Sequence, residues 1–280
     1  MWAIMNLSLC ALGGYWVKPR LAFRTHSSSN NNNGQDVRSA SMTTSAVVND
    51  HRRRRTTWAK LARESSYLVT PLWLVNAALT FTVSVSFFSV SFFLATYCSS
   101  LGLSSAAGTG VVAAFNAAAL LGEISIGHAC DRLAYPRVML GIAMIGSLST
   151  FLLFGLAQSL AGTLFFVLLF GWGAGSWCAT WTASAFDIAR LRSMQTATVL
   201  LSFTFVRGIA SLVGPLIAAA LYRPEDNLKK AVFGAFGFDH LIGFVGACML
   251  ATAIFAGALE ITRKVSFQKV ADADLFTERL

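Results

Sequence analysis

Between residues 71 and 259 the chain repeats one pattern, a long apolar run followed by a short polar break. Six runs follow one another, over about 71–97, 108–130, 138–157, 163–186, 196–222 and 240–260. Each is close to the roughly 20 residues that an α-helix needs to cross the ~30 Å hydrocarbon core of a bilayer. The pattern predicts an all-α membrane protein, a six-helix transmembrane bundle over residues 67–261. The first run contains Thr80-Phe81-Thr82-Val83-Ser84-Val85-Ser86, which alternates like a strand. Helix remains the expectation there, because the apolar character outlasts any strand and one strand cannot close a barrel.

The flanks differ from this core. Residues 1–17 are moderately apolar but lack the positive n-region and small-residue cleavage site of a signal peptide, and read as the remnant of a preceding transmembrane helix. Residues 18–66 form a basic and polar linker with a serine and asparagine tract, and they end beyond the run Arg52-Arg53-Arg54-Arg55. Such a composition buries too little apolar surface to fold alone, so the linker is expected to be largely disordered. Within it, residues 56–64 fit a short amphipathic helix on the membrane surface, with Trp58 and Leu61 toward lipid and Lys60 and Arg63 toward water. Residues 262–280 form a polar tail of mixed charge.

Composition changes the picture in one respect. The chain is 55% hydrophobic and 12% charged, against about 25% charged in soluble domains. Its net charge of +9 would suit nucleic acid, but the basic residues cluster beside spans and form no basic face on a nucleic-acid module. They obey the positive-inside rule instead. With the linker in the cytoplasm, that side also gains Arg132, Arg137, Arg190, Arg192, Arg263, Lys264, Lys269 and Arg279, while the opposite side holds Arg223, Lys229 and Lys230. An integral, multi-pass protein with cytoplasmic linker and C-terminus is expected, the plasma membrane being the expected location. Cys10, Cys98, Cys130, Cys178 and Cys248 lie far apart, without metal-ligand spacing, and read as small buried apolar residues. No zincin motif, nucleophile elbow or P-loop occurs, so neither an enzyme nor a cofactor or metal site is expected.

Small residues mark packing faces. Gly171 and Gly175, and Gly208, Ser211, Gly214 and Ala218 at helical spacing, allow backbones to approach where no hydrophobic force draws helices together. Pro215 should kink the fifth span.

Ionisable groups inside a bilayer are costly and point to function. Glu123 lies in the second span, with Asn116 seven residues earlier on much the same face, and Arg207 lies near the middle of the fifth. One reading has these three lining a cavity, Arg207 and Asn116 binding an anionic substrate and Glu123 carrying a proton. The other is a structural Glu123–Arg207 ion pair between two helices. His128 and Asp187 sit near helix ends, where interfacial roles are expected, and Asp239 suits the N-terminus of the last helix.

The turn Gly127-His128-Ala129-Cys130-Asp131-Arg132-Leu133-Ala134-Tyr135-Pro136-Arg137 is the most specific local signal. It resembles the G-x-x-x-D-R loop signature of the major facilitator superfamily. Residues 97–127, the run Gly171-Trp172-Gly173-Ala174-Gly175-Ser176, and Trp16-Val17-Lys18-Pro19-Arg20-Leu21 resemble fungal monocarboxylate-transporter-like members. The resemblance covers nearly the whole chain but one half of the family fold, the C-terminal six-helix bundle. It implies gating roles for Gly127, Asp131, Arg132 and Arg137, with the glycine permitting close helix contact. Glu123 stands where many members place an arginine, and Ala134 where they place a glycine.

The resemblance implies a secondary transporter, or half-transporter, of small organic anions such as monocarboxylates, proton-coupled and working by alternating access. The alternative expectation is a truncated, non-transporting membrane protein that pairs with or regulates another transporter half. Expected partners are the lipid bilayer, the organic anion, and a second transporter half or another copy of the chain; nucleic acid is not among them. With one bundle supplying one wall of a site near the bilayer midplane, a second bundle would be needed to complete it.

Overall fold

The computed structural model describes residues 68–192, 195–223 and 237–277, with side chains for these residues up to 269 except 192. The apolar stretch 1–17, the linker 18–66 and the surface helix over 56–64 lie outside the described residues. The described residues form helices joined by short turns, with six stretches long and apolar enough to cross a membrane.

Helix α1 (Pro71–Ser100) opens with a proline in its first turn, and the Thr70 hydroxyl accepts from the Trp73 N–H at 3.3 Å. Proline suits that position because its missing N–H would be orphaned there anyway. The strand-like segment is helical throughout. Thr82 and Ser86 do not break the helix because their hydroxyls return to a carbonyl one turn back, Thr82 to Ala78 and Ser86 to Thr82; the Ser84 hydroxyl is buried with no hydrogen-bond partner among the described residues. Gly102, at φ +74°, ends the following turn, a backbone conformation that glycine adopts without cost. Helix α2 (Ser105–Arg132) is capped by Ser104, whose hydroxyl accepts from the Ala107 N–H. Helix α3 (Tyr135–Leu148) starts with Pro136 in its first turn and runs on through a π-helical turn, Ser149–Phe154.

The fourth span is broken. Helix α4 (Leu160–Gly175) passes into a 3₁₀ turn, Ser176–Thr180, before helix α5 (Trp181–Arg192) resumes. Helix α6 (Thr196–Leu221) carries Pro215 inside a continuous helical run. Helix α7 (Asp239–Thr277) begins after Gly237 (φ +77°) with Asp239 in its first turn, and continues well past the expected boundary at residue 261.

Helix α1 is the hub, packing on α6, α7 and α2, while α2 lies along α4 and α3 along α7. Three glycines set the α2–α4 approach. A Cβ on Gly122 would run into the Trp172 carbonyl, one on Gly171 would come within 2.7 Å of the Phe115 carbonyl, and one on Gly175 would strike Ala119. Gly214 plays the same part between α6 and α1, 2.7 Å from the Val85 carbonyl by the same construction. Gly208, expected on that packing face, has nothing within 4 Å and is exposed. Stacked rings fill the core: Phe87 on Phe115 at 5.0 Å, and Phe154 on Phe166 at 4.3 Å. The Tyr97 hydroxyl, buried among them, donates to the Ala157 carbonyl.

Coverage is uneven. Of the apolar stretch in each span, 17% is buried in α6 and 28% in α2, against 61% in α1. The two least covered helices are those that carry the candidate polar residues.

Candidate functional site

Arg207 projects from the middle of α6 into a box of rings. Its guanidinium carbon lies 5.2 Å from the Phe88 ring centroid, 5.5 Å from Phe87 and 5.9 Å from Trp181. The first two rings come from α1 and the third from the start of α5. A guanidinium over aromatic faces within about 6 Å is held by the ring quadrupoles, and the attraction grows once water is removed. That accounts for the tolerance of a cation at this depth, but it satisfies none of its N–H groups. Arg207 Nη1 is buried without a hydrogen-bond partner, and so are Nε1 of Trp181 and Nε1 of Trp177. These three buried donors, two of them on the residues around the break in the fourth span, have no acceptor among the described residues. Buried donors are ordinarily paired.

Glu123 is exposed on α2 and forms no ion pair among the described residues. The expected structural Glu123–Arg207 bridge is therefore absent at contact distance. The two charges still feel each other, and both act on the half-buried Cys178 thiol in the 3₁₀ turn. Arg207, Glu123 and Cys178 therefore share one region, on α6, α2 and the broken span between. Irregular backbone at membrane depth is tolerated where it is buried in protein or lines a cavity. Asn116, half-buried two turns before Glu123, donates from Nδ2 to the Val112 carbonyl at 2.9 Å, so part of its hydrogen-bonding capacity stays within its own helix.

The gating candidates separate. Asp131 and Arg132 are exposed at the end of α2 and have no ion-pair partner among the described residues. A Cβ on Gly127 would meet nothing within 4 Å, so the close helix contact expected of it is not made within this bundle. Arg137 is engaged: its Nε donates to Glu260 Oε1 at 3.3 Å, and Glu260 also takes Lys264 at 3.3 Å.

Sequence reasoning passed over the strongest ion pair. Asp187, given a bland interfacial role, is buried and accepts from Arg263 Nε at 2.6 Å. The Arg263 guanidinium lies 5.3 Å from the Tyr135 ring and 5.6 Å from Phe267. With Arg137–Glu260, this ties α3, α5 and α7 together at the end of the bundle where the basic residues gather. The available signal was an acidic residue at the end of one apolar run and an arginine just beyond another, both at that same end.

No group of three or more His, Cys, Asp or Glu side chains converges as a metal site among the described residues. No family model and no curated protein matches the chain.

Proposed function

We propose that this membrane protein is a secondary transporter, or the bundle that forms one half of one, for small organic anions such as monocarboxylates, with Arg207 as the anion-binding group. The observation that carries the reading is Arg207 itself: a cation in mid-span, ringed by Phe87, Phe88 and Trp181, with a buried N–H lacking any acceptor. An ion buried unpaired is costly, and a carboxylate would supply the missing acceptor as a charge-assisted hydrogen bond. The aromatic walls favour an anion with a small apolar body. Asn116 assists binding, and Glu123 carries the coupled proton.

The sparse cover of α2 and α6 bears on mechanism. Glu123, exposed on α2, would face hydrocarbon unless a second bundle closed over it, and a charge turned to lipid is strongly disfavoured. A second bundle of the major facilitator type, rocking against this one, gives alternating access. The basic end then lies in the cytoplasm, with Gly127, Asp131, Arg132 and Arg137 at the gate, in a protein of the plasma membrane. The same exposure favours a second reading, a non-transporting bundle that binds another transporter half.

Uptake by the purified chain in proteoliposomes tests the proposal. Carboxylate flux should be present in the native chain, lost in Arg207→Ala and partly kept in Arg207→Lys. Normal flux in Arg207→Ala removes the residue from the site, and no flux across a broad carboxylate panel favours the second reading.

A further inference from the structure

A cavity of about 540 Å³ opens at the basic end of the bundle, between the first turn of α1, the last turn of α5 and the part of α7 beyond Glu260. Its wall is largely hydrocarbon, from Leu72, Ile188, Leu191 and Val265, and Ser266 and Lys269 supply polar groups. Three spans terminate at this level: one begins at Pro71, one ends at Leu191 and one at Lys269. Such a position lies where the hydrocarbon of a bilayer gives way to headgroups. The local charges are unequally matched. Arg263 is paired with Asp187, and Lys264 with Glu260, while Lys269 has no ion-pair partner among the described residues. The neighbouring Thr262 hydroxyl already donates to the Ala258 carbonyl, while the Ser266 hydroxyl, also on the cavity wall, makes no hydrogen bond among the described residues.

We propose that this cavity holds one anionic phospholipid, with an acyl chain along the apolar wall and the headgroup phosphate at Lys269 and Ser266. An apolar wall with a cation at its polar rim that has no ion-pair partner among the described residues is complementary to a lipid and not to a free inorganic ion, which would gain nothing from the hydrocarbon. Basic pockets between helices at a membrane face are the general form of such sites. The inference is independent of Arg207 and of transport.

Native mass spectrometry of the full chain, released from detergent after incubation with equal phosphatidylglycerol and phosphatidylcholine, tests it. One phosphatidylglycerol should be retained in preference to phosphatidylcholine. Occupancy should fall about fivefold in Lys269→Ala, the factor one lysine near an anionic surface supplies, and stay unchanged in Lys264→Ala. Val265 is exposed, so Val265→Trp should fold normally while filling the cavity and expelling the lipid. Equal retention of the two lipids, or equal phosphatidylglycerol binding by the native chain and Lys269→Ala, overturns the proposal. So does full displacement of the lipid by millimolar inorganic phosphate, which would make the site a phosphate site alone.

Discussion

Asp187 and Arg263 lie 76 residues apart in sequence, and their Oδ2 and Nε atoms are 2.6 Å apart in the fold. The carboxylate is largely buried, with 12% of its side chain exposed, while the guanidinium is 36% exposed and flanked by aromatic rings. Removing the cation strands the anion, which is the costlier way to break such a pair. Arg263→Ala should therefore lower stability by about 2 kcal/mol, in the range for hydrogen bonds to charged groups. Thermal unfolding in detergent, followed by loss of monodispersity, reads the change. Lys264→Ala, which removes a largely exposed partner of Glu260, should shift stability far less, because solvent screens an exposed pair. Equal effects of the two variants would contradict the ranking.

Two glycines make opposite predictions. Gly122 faces the Trp172 carbonyl so closely that even a methyl group must push α2 from α4. Gly122→Ala should destabilise by about 1–3 kcal/mol, the usual cost of overpacking. Gly208 has open space around it, and Gly208→Ala should be neutral or stabilising by up to about 1 kcal/mol, because alanine loses less freedom in a helix. The same thermal assay decides both.

The electrostatic reach of Arg207 to Cys178 can be read chemically. In a chain with Cys10, Cys98, Cys130 and Cys248 replaced by serine, an anionic thiol reagent should label Cys178 faster than a cationic reagent of similar size. Arg207→Gln should erase that preference, a change on the order of tenfold in relative rate. A preference that survives the substitution would place the thiol outside the field of Arg207.

Glu123 is expected to make uptake respond to pH. Native flux should rise as the outer solution is acidified, and Glu123→Gln, which has no exchangeable acid, should flatten that response. An unchanged pH profile removes Glu123 from proton coupling.

The six spans were legible because span length and hydropathy are properties of contiguous sequence. Their ends were read to within a few residues at most places, and the strand-like run over residues 80–86 was rightly assigned to helix on length. Arg207 stood out because an arginine amid apolar neighbours is visible without any structure. What surrounds it was hidden: Phe87, Phe88 and Trp181 are three aromatic residues among many, brought together by helices distant in sequence. The 3₁₀ turn at Ser176–Thr180 lacked a signal because Trp177, Cys178 and Ala179 continue the apolar run without proline. Asp187–Arg263 escaped because tertiary pairing leaves no trace in local spacing, and because the helix beyond residue 261 was read as a tail. At Gly127 a motif was legible, yet the close contact it implied is not made within this bundle.

At 1.5 Å per residue, the 39 residues of α7 span roughly 58 Å, nearly twice the oily layer of a bilayer. The helix runs on toward the basic end as a mast, and Arg263 and Glu260, the partners of Asp187 and Arg137, are mounted on it. Deleting the chain from residue 262 onward would therefore do more than trim an appendage: it would withdraw Arg263 and leave a stranded carboxylate at the foot of α5. Purification handles belong beyond the mast, and shortened versions intended to ease crystallisation should keep it whole.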